Sequence, residues 1–341
     1  MTPLAPKILI HEYFSGGGCL DAALPTGLAA EGLAMLQAVL ADFQAWGAAK
    51  ITTTLDHRLS EVSPPAQRVI HLDPKDHDSV LEELAGQCTA ALIIAPETDG
   101  ILARLSGLME SGGARLLGSS PASVAIAGDK WNCHRLFNKA GLPTPDTRFV
   151  DVKGALGAAE KIGFPLVIKP VDGVGCEGVN LILDAPSLQM VLEKNWPYGN
   201  RLLLQSYIEG DHASASLLVA GHDISCLSLN RQFIEIGSPF SYRGGEVFFP
   251  CDKREEALDL AKRAASLVPG LKGYVGVDIL ITKEGCHIIE INPRLTTAYI
   301  GLRRVVNINL AEAIWDAAIR DVLPQKVSLS GRITFRKEDL I

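Results

Sequence analysis

The sequence predicts an α/β domain followed by a larger α+β body, and three observations lead to it. The chain has 341 residues, the length of about two domains at roughly 150 residues each. Residues 7–118 alternate short apolar runs with helical apolar spacing, as strands flanked by helices do. After Ser119 the pattern becomes strands joined by glycine-rich turns.

The elements follow in order. Lys7 to Tyr13 reads as a first buried strand, Ser15 to Gly18 as a loop, and Leu28 to Trp46 as a helix. Ala90 to Ala95, ended by Pro96, suits a parallel strand covered on both faces. Leu116 to Gly118 closes a first unit, 1–118. A second unit, 119–200, begins with Ser120-Pro121, which opens a helix expected to run through Asp129 and Lys130 to Lys139. Pro165 to Pro170 and Val179 to Leu183 read as strands. A third unit, 201–325, holds a strand at Leu202 to Ile208 and a hairpin turning at Gly221-His222. It continues with an amphipathic helix from Glu255 to Leu267 and two strands within Gly273 to Asn292. Residues 326–341 are expected to form a last strand or a tail.

Composition excludes several classes. Hydrophobic residues make up 47% and charged residues 21%, which rules out a disordered chain. Thirty-two basic residues against 39 acidic give a charge of −7, so no nucleic-acid partner is expected. The seven cysteines are scattered and form no Cys-x-x-Cys. That argues against a disulfide scaffold or a zinc site and fits a reducing cytoplasm. Met1 to Glu12 does not read as a signal peptide. No apolar run approaches the ~20 residues of a membrane span. The expected location is cytoplasmic, with no membrane partner.

Gly173-x-Gly-x-x-Gly178 matches the dinucleotide-binding string. Such a loop must lead from a strand into a helix, whereas Val179 to Leu183 reads as strand. No Gly-Lys-Ser/Thr follows, and neither His-Arg-Asp nor Asp-Phe-Gly occurs, so Walker and protein-kinase loops are excluded. The segment is therefore expected to be a hairpin turn whose N–H groups lie over phosphates. Lys169 sits inside an apolar strand, where an unpaired ammonium is costly and a phosphate would explain it.

Gly276 to Ile281 and Cys286 to Arg294 form a second hairpin, with Lys283-Glu284-Gly285 as a three-residue loop. Centring it on Glu284 sets Thr282 opposite Cys286 and Asp278 opposite Glu290. Side chains alternate, so Asp278, Glu290 and Asn292 share a face. Two carboxylates directly opposite repel unless a cation lies between them. Hard oxygen donors without cysteine suit Mg²⁺ or Mn²⁺. Arg294 would meet phosphate or an anionic intermediate.

Together these pieces resemble the ATP-grasp family. Lys130, Lys169, the Gly173–Gly178 loop, the hinge-like Gln205-Ser206-Tyr207-Ile208-Glu209-Gly210, Asp278, and Glu290-x-Asn292-Pro-Arg294 stand in the family's order. The match covers roughly 119–321, behind the usual α/β front domain. The resemblance implies an ATP-grasp fold whose two subdomains clamp ATP. Lys130 and Lys169 would contact its phosphates, with Gly173, Gly175 and Gly178 closing over them. Gln205, Ser206, Tyr207 and Ile208 would lie at adenine. Asp278, Glu290 and Asn292 would hold two Mg²⁺ ions, and Lys169 and Arg294 would serve catalysis. The common chemistry is phosphorylation of a carboxylate, then attack by an amine.

The sequence departs from the family pattern twice. Where many members carry a ribose-binding Glu after the hinge glycine, Asp211 and His212 stand here, and Asp211 is the expected contact. Where some carry an arginine two residues before the first metal acid, Gly276 stands. Within the family, His11 to Gly18, Ala95 to Gly100, and Ser228 to Gln232 ahead of Tyr242 to Gly245 resemble the branch that joins L-glutamate to tyramine in methanofuran and methylofuran synthesis. On that resemblance Glu12, Ser15, Gly16, Glu97, Tyr242 and Arg243 are the expected substrate contacts. The partners are then a small carboxylate and an amine; a homodimer is the assembly expected. A dipeptide ligase of the D-alanine type and a non-catalytic nucleotide sensor are the alternatives.

Overall fold

The computed structural model describes residues 5–19, 22–73, 77–193 and 196–340. Five parallel strands build the front sheet: β1 (Lys7–Glu12), β2 (Lys50–Asp56), β3 (Arg68–Leu72), β4 (Ala90–Ile94) and β5 (Arg115–Leu116), in the order β3-β2-β1-β4-β5. β4 is buried at every position, which is why its sequence is a continuous apolar run rather than an alternation. Helices α1 (Thr26–Trp46), α2 (His77–Gln87) and α3 (Ile101–Ser111) pack on this sheet. α1 buries Leu36, Leu40 and Phe43 in a core that also takes in Tyr299 and Trp315 near the C-terminus.

The helix expected over 120–139 is two helices. α4 (Pro121–Gly128) stops at Asp129, whose backbone is extended, and α5 (Lys130–Lys139) starts afresh. The reason lies in Asp129 itself: its side chain caps the new helix, accepting from the Asn132 N–H at 2.9 Å. The break sets Lys130 at a helix start instead of mid-helix.

The second sheet has four antiparallel strands: β6 (Thr147–Asp151), β7 (Leu166–Lys169), β8 (Asn180–Ile182) and β9 (Arg201–Ser206), in the order β6-β9-β7-β8. α6 (Ala155–Ile162) and α7 (Ala185–Glu193) cover one face through Ala155, Ala159 and Leu188, packed on Leu166, Ile168 and Leu204. β7 and β8 pair antiparallel, so the glycine segment joins two strands. β9 stops at Ser206, two residues short of the expected end, and Tyr207 to Gly210 form the connection onward.

The third sheet has six strands: β10 (Asp211–Ala220), β11 (Asp223–Glu235), β12 (Ser241–Val247), β13 (Gly273–Ile281), β14 (Cys286–Asn292) and β15 (Ile333–Arg336). Their order is β14-β13-β10-β11-β12-β15. α8 (Arg254–Ser266) lays Ala257, Ala261 and Ala264 against β13 and β14, the small side chains allowing close approach. β15 brings the C-terminal segment onto the sheet edge beside Gly244 and Gly245. Among the described residues no helix is long and apolar enough to cross a membrane.

Candidate active site

The cleft lies where the second and third sheets face each other. One cavity in it is lined by Lys130, Lys169, the glycine loop, Tyr207, Ile208, Asp278 and Glu290 among others.

Asp278 stands opposite Glu290 on β13 and β14. The route to that pairing differs from the sequence expectation. Ile281, not Thr282, faces Cys286, so the loop is the four residues Thr282–Gly285, closed by the Thr282 N–H to the Gly285 carbonyl at 2.9 Å. That shift would have misaligned the acids. A bulge on β14 at Ile289, opposite the step from Asp278 to Ile279 on β13, adds one residue and restores the pair.

Both acids are half-buried in the cleft wall and share their surroundings unequally. Burial first, and the Glu290 charge second, push the Asp278 carboxyl up to about 8. Burial acts the same way on Glu290, but Lys130 and Lys169 outweigh it, and its carboxyl is held below the usual range. The two carboxylates thus disfavour a second charge between them, and a cation there would relieve it. Gln232 donates to Asp278 at 3.1 Å, and Asn292 turns its amide nitrogen to Asp278 at 3.3 Å. Among the described residues no three His, Cys, Asp or Glu side chains converge. The donor set is two carboxylates plus, once the amide turns over, the Asn292 oxygen. Hard oxygens few in number fit Mg²⁺, which keeps waters and phosphate oxygens in its shell.

The two lysines differ. Lys130 Nζ lies 3.0 Å from Glu290 Oε2 and donates to the Gly173 carbonyl at 2.6 Å. Burial disfavours its charge, yet Glu290 more than offsets this and its pKa is raised. Lys169 donates to Gln205 Oε1 at 2.9 Å, and burial pulls it down to about 8. Gln205 is itself fixed, since its Nε2 donates to the Thr147 hydroxyl at 2.8 Å, which donates to the Pro145 carbonyl at 2.9 Å. Gln205, expected at the nucleotide, lines the cleft but spends both ends of its amide on protein groups.

The glycine loop is shaped by backbone need. Gly175, Cys176 and Gly178 have φ of 61, 67 and 69°, so three left-handed positions within four residues turn the chain back. Gly178 also lies under the Tyr198 ring, where a Cβ would come within 2.6 Å. At the base, the front domain holds Asp172: the Thr98 hydroxyl donates to its carbonyl at 3.0 Å and the Asp99 N–H to its carboxylate at 2.9 Å. In the hinge, the Ser206 and Tyr207 N–H groups are already bonded to the Asp146 and Pro165 carbonyls.

Several expected substrate contacts are redirected. Asp211 pairs with Arg231 outside the cleft, while His212, one residue on and on the opposite side of the strand, lines it. Glu97 is closed off by Arg294, whose Nε lies 2.9 and 3.1 Å from the two carboxylate oxygens and whose Nη2 lies 3.0 Å from Oε2. Arg294 also lines an inner pocket with Asp278 and Glu290. Glu12, Ser15 and Gly16 are buried and turned inward. The Glu12 carboxylate accepts from the Ser15 N–H at 2.7 Å, the Ser15 hydroxyl at 2.6 Å and the Phe14 N–H at 3.2 Å, so it folds its own loop. Burial leads in raising it to about 7. Tyr242 lines the inner pocket, its phenol raised by burial and then by Glu31. Arg243 points outward to Glu235. Gly276, where some members carry arginine, packs under Thr296: a Cβ there would lie 2.4 Å from Cγ2.

Sequence reasoning missed Glu31, Thr296, Thr297 and Phe335 on the inner pocket. The two threonines directly follow the Arg294 motif and were within reach of it. Glu31 on α1 and Phe335 on β15 carry no local signal, because only folding brings them there.

Comparison with known proteins places these features in context. Residues 127–298 match the ATP-grasp domain profile, and 49–124 match the pre ATP-grasp 3 domain. The chain is 34% identical over 240 residues to the tyramine–L-glutamate ligase of Methanocaldococcus jannaschii, covering 70% of this chain and 65% of that one. It is 35% identical over 237 residues to the Methanocaldococcus fervens enzyme of the same name, covering 70% and 68%. The match thus spans about two thirds of those relatives' length. A crystal structure of a putative ATP-grasp superfamily protein from Archaeoglobus fulgidus superposes with TM-score 0.71 at 26% identity, covering 92% of this chain and 89% of that one.

Proposed function

This chain belongs to the ATP-grasp family, and we propose that it is an ADP-forming carboxylate–amine ligase that joins L-glutamate to tyramine or a similar amine. The observation that carries this is the convergence of Asp278, Glu290, Lys130 and Lys169 on one buried cleft. Likeness to the two tyramine–L-glutamate ligases supports the substrate pair.

In this mechanism the substrate carboxylate attacks the terminal phosphorus of ATP. The bond to ADP breaks and an acyl phosphate forms. The amine then attacks the acyl carbon, inorganic phosphate leaves, and the amine's proton is lost to solvent or phosphate. Phosphoryl transfer asks mainly for positioning and charge neutralisation. Lys130 and Lys169 meet the phosphates, the glycine loop covers them, and Ile208 with the hinge carbonyls meets adenine. Arg294, held by Glu97, faces the anionic acyl centre. Asp278, Glu290 and Asn292 would hold Mg²⁺, two ions in this proposal, which when bound supplies neutralisation of phosphate charge.

A cytoplasmic location belongs to the same proposal, supported by the seven free cysteines. So do a role in methanofuran or methylofuran synthesis, resting on the front-domain motifs, and a homodimeric assembly. The test is ADP release from Mg-ATP and L-glutamate with and without tyramine, beside Glu290→Ala. Tyramine-dependent release lost in the folded mutant supports the reading. Full turnover in that mutant refutes the metal assignment, and release only with another amine replaces tyramine as the acceptor.

A further inference from the structure

We infer that Glu31 is an ammonium-binding subsite and that Lys337, from the C-terminal turn, occupies it in place of the substrate. This inference rests on the ligase reading of the cleft.

Two cavities meet beside the glycine loop. The inner pocket, about 130 Å³, holds Asp278, Glu290 and Arg294, and Glu31 lies on its wall. The outer groove, about 1140 Å³, is lined by Lys337 and Arg336 on one side and Trp196 and Tyr198 on another. Gly175, Cys176 and Tyr242 border both. At this junction Lys337 Nζ lies 3.3 Å from Glu31 Oε2. The other Glu31 oxygen accepts from the Thr297 hydroxyl, and Tyr242 lines the same pocket.

Glu31 is therefore a carboxylate oriented from behind and open to a cation from the groove side. The cation there is a primary ammonium on a flexible stem. It arrives on a four-residue turn, Lys337–Leu340, after the edge strand β15. Glu31 is not used by the nucleotide or metal groups, yet it faces the chamber where acyl transfer takes place. A substrate bearing a primary ammonium and entering along the groove meets Glu31 last. It would exchange like for like with Lys337, leaving the charge balance of the pocket unchanged. That costs less than burying a new, unpaired charge.

The test uses full-length protein with Glu31→Gln and Lys337→Met. Steady-state ADP release is titrated with L-glutamate, with its des-amino analogue glutarate, and with tyramine. Glu31→Gln is expected to raise KM at least tenfold for the substrate whose ammonium it binds. kcat should change less than threefold, and KM for ATP should not change. A rise for L-glutamate but not glutarate assigns the donor's ammonium; a rise for tyramine assigns the acceptor's. Lys337→Met is expected to lower that same KM two- to fivefold by removing the competitor. Unchanged KM values in Glu31→Gln, or equal losses in both variants, overturn the inference. If no pair turns over, the ligase reading fails separately. Calorimetric titration of L-glutamate and tyramine into protein loaded with a non-hydrolysable Mg-nucleotide then decides. Tenfold weaker binding to Glu31→Gln supports the subsite, and equal or no binding overturns it.

Discussion

Glu97→Gln separates a substrate contact from a holder of Arg294. Glu97 and Arg294 come from different sheets' connections, and their side chains are 5% and 15% exposed. Three N–H···O contacts of 2.9 to 3.1 Å join them. Removing one partner of such a buried pair costs about 3–5 kcal/mol, because the other charge is left uncompensated. Glutamine keeps one acceptor oxygen, so the lower end, about 3 kcal/mol, is expected. For 341 residues unfolding as one unit this is a Tm loss of about 4 °C. Arg294→Met should cost a similar amount. The double variant should cost much less than the sum, with a coupling of about 2–3 kcal/mol, since no lone charge remains. Urea unfolding of the four proteins measures this. kcat should fall ~10–100-fold in Glu97→Gln through misplacement of the guanidinium, with substrate KM little changed. Costs that add within about 0.5 kcal/mol, or a KM effect without a kcat effect, would refute the holding role.

Three further predictions follow from the same geometry. Glu12, raised to about 7 from 4.5, holds its proton only in the folded state between those values. Stability is therefore fully present below pH 4.5 and falls as pH rises toward 7, by at most ~3 kcal/mol, and Glu12→Gln should flatten that slope in urea titrations. Lys169 loses its proton above about pH 8, so kcat/KM for ATP should fall there; Lys169→Met should lower it at least ~10-fold at pH 7 and abolish the alkaline limb. Thr147→Val strands the Gln205 amide, so it should cost about 1–3 kcal/mol by denaturation and raise KM for ATP several-fold with kcat retained.

Much of this site was legible because its residues are close in sequence. Asp278, Glu290, Asn292 and Arg294 lie on one hairpin, where alternation alone puts the acids on one face. Lys169 and the glycine turn are adjacent, and an ammonium in an apolar strand announces a partner. The opposition of Asp278 and Glu290 emerged from a wrong loop length offset by an unseen bulge, since neither is encoded by alternation. Asp211 was the expected contact and His212 lines the cleft, because strand phase decides which of two neighbours faces it.

The front-domain residues show the other side. Glu12, Ser15 and Glu97 sit at strand ends where ligands commonly bind, yet Glu12 satisfies its own loop and Glu97 satisfies Arg294, 197 residues away. A carboxylate's sequence neighbours do not reveal which distant donor will reach it. By itself the sequence determined the strand and helix alternation, the family and the carboxylate hairpin, because periodicity and local spacing are properties of neighbours along the chain. Only the tertiary structure decided the break at Asp129, the partners of Glu97 and Gln205, and the meeting of Glu31 with Lys337. Those depend on which surfaces pack together, and burial makes each polar group there find whichever partner the packing leaves within reach.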